Sequence, residues 1–489
     1  MADEAGLQTE PFRVDVFPHG GYDVRVNGVS WLPSGPTFVN SDGKRYCTGE
    51  GTLKLLGHQS VTGQDQFGAW NKTTFFYWAG RIGLKTSVKI YTKPSVPVAV
   101  FSQTYESDTE KTRGKNRDDI ISSFPSFRFQ PNTTANLGYL AYGNDMAGWV
   151  SLSLGRWSKD AKFSTGIQGG PLVLFDNSSN ALVISPLSNF MSASNKKFGG
   201  EHLSWGIMGL VDRVPAGHTT DFVVSFSNRG VNQAMRDWGK YLTSIYGKTS
   251  DARDKDLTLS HLGYWTDNGA YYYYNTAKGK NYEDTLTDEV AYLKDQGLPV
   301  KYLQIDSWFY PKGHVDGTRT WEAKKDIFPH GFKGLYENTS LPIGCHNRYW
   351  DNDTLYATYN GGKYNFIPDA TSGCAVPDDE QFWIDLFQST QKWGKFILYE
   401  QDWLNKETDR NQALVSDLYL GRRWLTQMGA AAKQFGIAIQ YCMSYSRHIL
   451  QSVEIPAVTQ AVWTLHQLNR LEAENILRPV RVQPSNRNK

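Results

Sequence analysis

Lys395-Phe396-Ile397-Leu398-Tyr399-Glu400-Gln401-Asp402-Trp403 decides how this chain folds. Its apolar run is too short for a helix and follows Gly394, so it reads as a buried strand, Lys395–Tyr399, that turns polar at its end. The same pattern recurs on both sides. Leu257–Tyr264 runs into Trp265-Thr266-Asp267-Asn268-Gly269, and Val300–Ile305 into Asp306-Ser307-Trp308. Leu341–Cys345 runs into His346-Asn347-Arg348, and Gly436–Cys442 is followed by Ser444, Arg447 and His448. Helical periodicity fills the gaps over Tyr282–Gln296, Asp379–Trp393 and Asn411–Phe435. Strand, helix, strand at this rhythm predicts parallel βα units.

The chain before residue 231 reads differently. Phe12–Phe17, Tyr22–Val26, Leu84–Tyr91, Pro97–Tyr105, Leu172–Phe175 and Phe222–Phe226 are β-branched or aromatic runs separated by Gly, Asn, Asp and Pro clusters. They predict a large antiparallel sandwich over residues 10–230. Amphipathic Val231–Tyr246 reads as a linker helix and Asp251–Asp256 as a charged hinge, so 231–256 divides the sandwich from barrel-type units over 257–460. Residues 461–489 form an atypical tail, helix-like over Ala461–Leu477 and then basic with two prolines.

Composition narrows the function. The 489 residues carry 51 Lys+Arg and 49 Asp+Glu, a balance that predicts no nucleic-acid or acidic-membrane partner. No stretch approaches the roughly 18 uninterrupted apolar residues of a membrane span. Aromatic residues make up 14% of the chain, which fits either rings that stack on sugars or a β-rich core filled by large side chains. Cys47, Cys345, Cys374 and Cys442 lack zinc-site spacing; one Cys345–Cys374 bridge is open, but free buried thiols are favoured. Sequons at Asn71, Asn132, Asn177, Asn338 and Asn352 lean towards the secretory route, while the polar start at Met1–Arg13 shows no signal peptide, so the compartment stays open.

In a (β/α)₈ barrel, reactive groups project from the C-terminal ends of the strands. Five strand ends carrying carboxylates, His, Arg and Trp in series predict a sugar pocket, with Trp265, Asp267, Asp306, Trp308, His346, Arg348, Trp403 and Arg447 as its lining. Bland alternatives stand beside each. Asp306 and Asp267 are also placed to cap turns, Tyr271–Tyr274 to pack a loop, His346 and Arg348 to pair with Asp351, and His448 to be a satisfied core histidine.

The motifs His261-Leu262-Gly263-Tyr264-Trp265-Thr266-Asp267, Gln304-Ile305-Asp306-Ser307-Trp308 and Tyr399-Glu400-Gln401-Asp402-Trp403 resemble the melibiase clan, the α-galactosidases and raffinose-synthase-like proteins. The resemblance implies an N-terminal β-supersandwich followed by a (β/α)₈-type barrel, retaining chemistry on α-linked galactosides or related sugars, and neither metal nor organic cofactor. It places Asp402 as the nucleophile and Asp306 with Trp308 on the sugar's far hydroxyls. Glu400 is the rival nucleophile, on the same face but deeper. The clan's acid/base follows a sixth strand. After Cys442 only 47 residues remain, too few for three further βα units of about 30 residues each. The expectation is therefore an incomplete barrel whose exposed edges favour a homo-oligomer or poor solubility. Three readings follow: a truncated glycosidase or transglycosidase lacking its acid/base, a sugar-binding pseudoenzyme, or an acid/base supplied from elsewhere.

Overall fold

The computed structural model describes residues 10–92, 96–129, 136–146, 152–267, 270–272, 274–307 and 309–462. Trp308 lies outside them, as does the tail beyond residue 462 with most of its helix-like run.

Among the described residues, the N-terminal part is built on a nine-stranded antiparallel sheet. It runs from edge strand Leu152–Arg156 through the paired Ala181–Pro186, Thr219–Ser227 and Val98–Tyr105 to the long hairpin Lys54–Asp65/Gly68–Ala79. Smaller three-stranded sheets cover it, and the layers meet in an aromatic core where Tyr22, Phe101, Phe124 and Phe127 pack with ring centroids 5.0 to 6.0 Å apart. The alternation in Phe12–Val16 is what lets one face join that core. Helix Gly230–Ile245 lies on the other face of the large sheet. It buries Trp238, Tyr241 and Leu242, and Trp238 Nε1 donates to Ser185 Oγ (2.8 Å).

Beyond it lies a six-stranded, all-parallel sheet in sequence order: Gly263–Trp265, Tyr302–Ile305, Ile343–Asn347, Phe396–Gln401, Ala438–Cys442 and Val458–Val462. Among the described residues the fold is thus a β-sandwich followed by an incomplete (β/α) barrel of six strands. Helices Tyr282–Asp295, Glu380–Ser389 and Leu420–Gln434 cover the sheet, each turning its apolar stripe inward. The sheet curls strongly: Gln304 Nε2 on the second strand donates to Gln440 Oε1 on the fifth (2.6 Å) across the concave side.

Several elements differ from expectation. The run Leu257–Tyr264 is mostly not strand, because Asp256 caps a short helix, Leu257–Ser260, through the Thr258 amide (2.9 Å). The charged hinge is helical over Asp251–Lys255. The helix expected over Asn411–Phe435 begins only at Leu420, because Asp417 Oδ1 accepts the Tyr419 and Leu420 amides and restarts the chain there. The sheet has a sixth strand, and Ala461 and Val462 belong to it instead of to a helix. All four cysteines are free and buried, so no Cys345–Cys374 bridge forms. Trp205, Trp321, Trp350, Trp383 and Trp424 are fully buried, so much of the aromatic content fills cores.

Candidate active site

The parallel strands end together, and their last inward residues meet. Asp402 follows the fourth strand. Its amide donates to Asn347 O (2.8 Å), prolonging the ladder to the third strand by one residue. The next residue, Trp403, has a left-handed backbone (φ +60°), an uncommon conformation for a bulky side chain. That turn brings the Trp403 amide back onto Asp402 Oδ1 (2.5 Å), while His346 Nε2 meets Oδ2 (3.1 Å). Both carboxylate oxygens are therefore held by donors. Asp306 follows the second strand, tied to the first by its amide to Thr266 Oγ1 (2.9 Å) and carrying the Ser307 amide on Oδ1 (2.6 Å).

Beneath this layer lies a second one, because residues two apart on a strand share a face. Glu400, two before Asp402, is 0% exposed and accepts from Gln304, two before Asp306 (2.7 Å). Gln440, two before Cys442, donates to Gln460 on the sixth strand (3.0 Å). Glu400 Oε1 has no hydrogen-bond partner among the described residues.

The electrostatics follow from burial and crowding. Burial alone would depress His346, but Asp306, the hydrogen-bonded Asp402 and Glu400 raise it to about 9, so it is an imidazolium at neutral pH. It donates from Nε2 to Asp402 and from Nδ1 to the Tyr310 hydroxyl oxygen (3.1 Å). Burial, reinforced by Asp306 and Asp402, raises Glu400 to about 8, so it carries its proton at neutral pH. Burial and Asp267 push Asp306 up as well, against the pull of His346. Donor atoms of Asp306, His346 and Glu400 lie within 4.8 Å of one another, as do those of Glu400, Asp402 and Cys442. Most of these atoms are already committed: Glu400 to Gln304, His346 to Asp402 and Tyr310, and burial keeps the Cys442 thiol protonated.

Other residues named from sequence sit around this centre or away from it. Asp267 accepts the Tyr272 hydroxyl (2.6 Å), and Trp265 is half-buried at the end of the first strand. Tyr272 stacks on Tyr274 (5.2 Å). Arg348 lies over the Trp403 ring at 5.0 Å and Lys406 over the same ring at 3.4 Å. His346 pairs with Asp402, while Asp351 takes the Val315 and Gly317 amides. Arg447 does not join the centre. Its guanidinium donates to the Ile167, Met191 and Ala193 carbonyls of the sandwich (2.9, 2.5 and 3.1 Å), so it fastens the two parts together. His448 is held by Thr408 and the Tyr445 amide and stays neutral. Tyr310 and Lys406 escaped the sequence reading, and Gln304 and Asn347 stood within its motifs without a site role; for Gln304 the signal was its place two residues before Asp306.

The architecture is a β-sandwich joined to a curled parallel sheet with carboxylates gathered at its strand ends. No protein-family model and no curated protein sequence matches the chain. Solved structures do. An α-galactosidase of glycoside hydrolase family 36, AgaA from Geobacillus stearothermophilus in complex with stachyose, superposes with a TM-score of 0.57 at 12% identity over 89% of this chain and 64% of its own. The α-galactosidase from Lactobacillus brevis gives 0.55 at 12% over 91% and 64%, and the α-N-acetylgalactosaminidase NagBb from Bifidobacterium bifidum 0.54 at 11% over 88% and 76%. The chain thus spans slightly less than two thirds of the length of the two α-galactosidases and shares the fold of these structures.

Proposed function

We propose that this chain is a glycoside hydrolase or transglycosidase of the retaining type, acting on α-galactosides or related α-linked sugars with Asp402 as nucleophile. The observation that carries this reading is the bracing of Asp402, whose two oxygens are fixed by the His346 imidazolium and the Trp403 amide at a strand end. Such bracing removes the rotational freedom of the carboxylate, as a nucleophile needs. An Asp402 oxygen attacks the anomeric carbon, the bond to the leaving oxygen breaks with its electron pair, and a glycosyl ester remains on Asp402. Water or an acceptor sugar then displaces Asp402. Asp306, Asp267, Arg348 and Trp265 surround the sugar in this reading.

The leaving oxygen needs a proton, and here one observation favours a second reading, sugar binding without turnover. Among the described carboxyls at the strand ends, Glu400 holds a proton but is wholly buried beneath Asp402 and bonded to Gln304, and Asp306, pushed up by burial, is itself buried with the Ser307 amide on one oxygen. Leaving-group dependence separates the two. An aryl α-galactoside with a good leaving group needs little protonation, whereas an alkyl α-galactoside needs much. Release of aryl product with the α-anomer of galactose formed first supports the retaining enzyme. Binding of galactose by calorimetry, with neither glycoside cleaved, supports the second reading.

A further inference from the structure

A groove of about 610 Å³ runs over the sandwich between the hairpin Phe38–Ser41/Lys44–Cys47, the loop 113–119 and the end of strand Ala193–Phe198. Lys44, Arg45, Arg113, Lys115, Lys196 and Lys197 line it against one carboxylate, Asp119. The whole chain balances 51 cations against 49 acids, so this local excess of five exceeds the net charge of the molecule. Half of the cations are structural. Lys196 neutralises Asp119 (2.7 Å), Lys197 Nζ donates to the Lys159 and Ala161 carbonyls, and Arg45 bonds Asn40 and lies over Phe38 at 4.1 Å. Lys44, Arg113 and Lys115 are exposed and have no carboxylate partner among the described residues.

The walls are rigid. The Asp42 and Gly43 amides bond the Glu110 and Lys111 carbonyls, and the Gly114 amide bonds the Gly209 carbonyl. The volume falls in the ~300–1,000 Å³ range of ligand sites and exceeds a single tetrahedral anion several-fold. Like charges lining one groove repel one another, and an anion lying between them relieves that repulsion. The groove offers no free platform for base stacking: its one aromatic ring, Phe198, already carries Arg45, Lys196 and the stacked His202.

The geometry points to a binding site for an anionic glycan chain, sulfated or carboxylated, held by Lys44, Arg113 and Lys115 along the groove. The choice of a glycan rests on the proposed function; the affinity for a chain of anions does not.

The test is calorimetric titration of the full chain with a sulfated galactan oligosaccharide, its desulfated form, oligogalacturonate, inorganic sulfate and a single-stranded oligodeoxynucleotide of equal charge. The sulfated chain binds, the desulfated one does not, and affinity falls at least about tenfold between low and high salt as the charges are screened. The triple variant Lys44→Glu/Arg113→Glu/Lys115→Glu loses at least about tenfold in affinity with an unchanged thermal midpoint. Should that variant misfold, Arg113→Gln alone still weakens binding measurably. Comparable binding of oligogalacturonate assigns the site to carboxylated chains and supports the same chemistry. Equal binding of the desulfated chain, indifference to the variants, displacement by inorganic sulfate at matched anion concentration, or tighter binding of the oligonucleotide overturns it. Asp402→Asn keeps this affinity, so failure of the groove and failure of the proposed catalysis are read separately.

Discussion

Asp402 owes its character to three neighbours: His346, more than fifty residues earlier, on one oxygen, the amide of the adjacent Trp403 on the other, and Glu400 beneath. Replacing Asp402 by Asn keeps the shape and removes the nucleophile, so aryl α-galactoside turnover falls at least about a thousandfold while the fold persists; initial rates and circular dichroism check this. Glu400 and His346 both bind a proton more tightly folded than unfolded. Their contribution to stability is therefore complete at acid pH and is lost as pH rises, from about 4.5 to about 8 for Glu400 and from about 6.5 to about 9 for His346. The urea midpoint of the native protein relative to that of Glu400→Gln should decline from pH 5 to about pH 8, a difference in which the opposite contribution of the neutral buried His202, His218 and His448 cancels. Asp402 and Asp306 were legible in the sequence because a carboxylate ends each of their strands. Glu400 was legible as the deeper neighbour, but not as the proton-holding carboxyl, since that depends on burial and on charges from two other strands as well as Asp402.

At the scale of elements, local hydrogen bonds decide where the sequence reading failed. The apolar run from Leu257 resembles a strand, yet Asp256 captures the Thr258 amide and winds one helical turn first. The same carboxylate also reaches the sixth strand, accepting Thr459 Oγ1 (2.6 Å) and Gln460 Nε2 (3.3 Å), and Gln460 continues to Thr258 Oγ1 (2.7 Å). Lys248 Nζ adds bonds to the Ser452 and Val458 carbonyls. The two edges of the parallel sheet are thus tied by side chains where a closed barrel would use further strands. Asp256→Ala removes a cap and this tie together, so it should cost roughly 2–3 kcal/mol, more than the ~1 kcal/mol of a cap alone. Asp417→Ala, which removes a cap only, supplies the ~1 kcal/mol comparison in the same urea series. The helices over Tyr282–Asp295 and Glu380–Ser389 were legible because their apolar spacing and their Asn281 and Asp379 caps agree.

Across the whole molecule, the sandwich and the parallel sheet are fastened by buried polar contacts as well as apolar ones. Arg447 spans them through three backbone carbonyls, and Arg117 with Asp409 makes a second crossing (2.7 Å). Arg447→Met keeps the apolar stem but leaves those buried carbonyls unpaired, at a cost of roughly 3–5 kcal/mol, and should split thermal unfolding into two transitions by calorimetry. The change from antiparallel to parallel architecture was visible as a change in rhythm near residue 231; Arg447's bridging role was not, because its partners lie more than 250 residues away. The central claim, that this scaffold braces Asp402 as a nucleophile, is tested most directly by intact-mass analysis after mixing with an activated aryl α-galactoside. A covalent gain of one hexosyl unit, absent in Asp402→Asn, is the predicted result. Cleavage of the same glycoside with inversion at the anomeric carbon, or undiminished cleavage by Asp402→Asn, would contradict the claim.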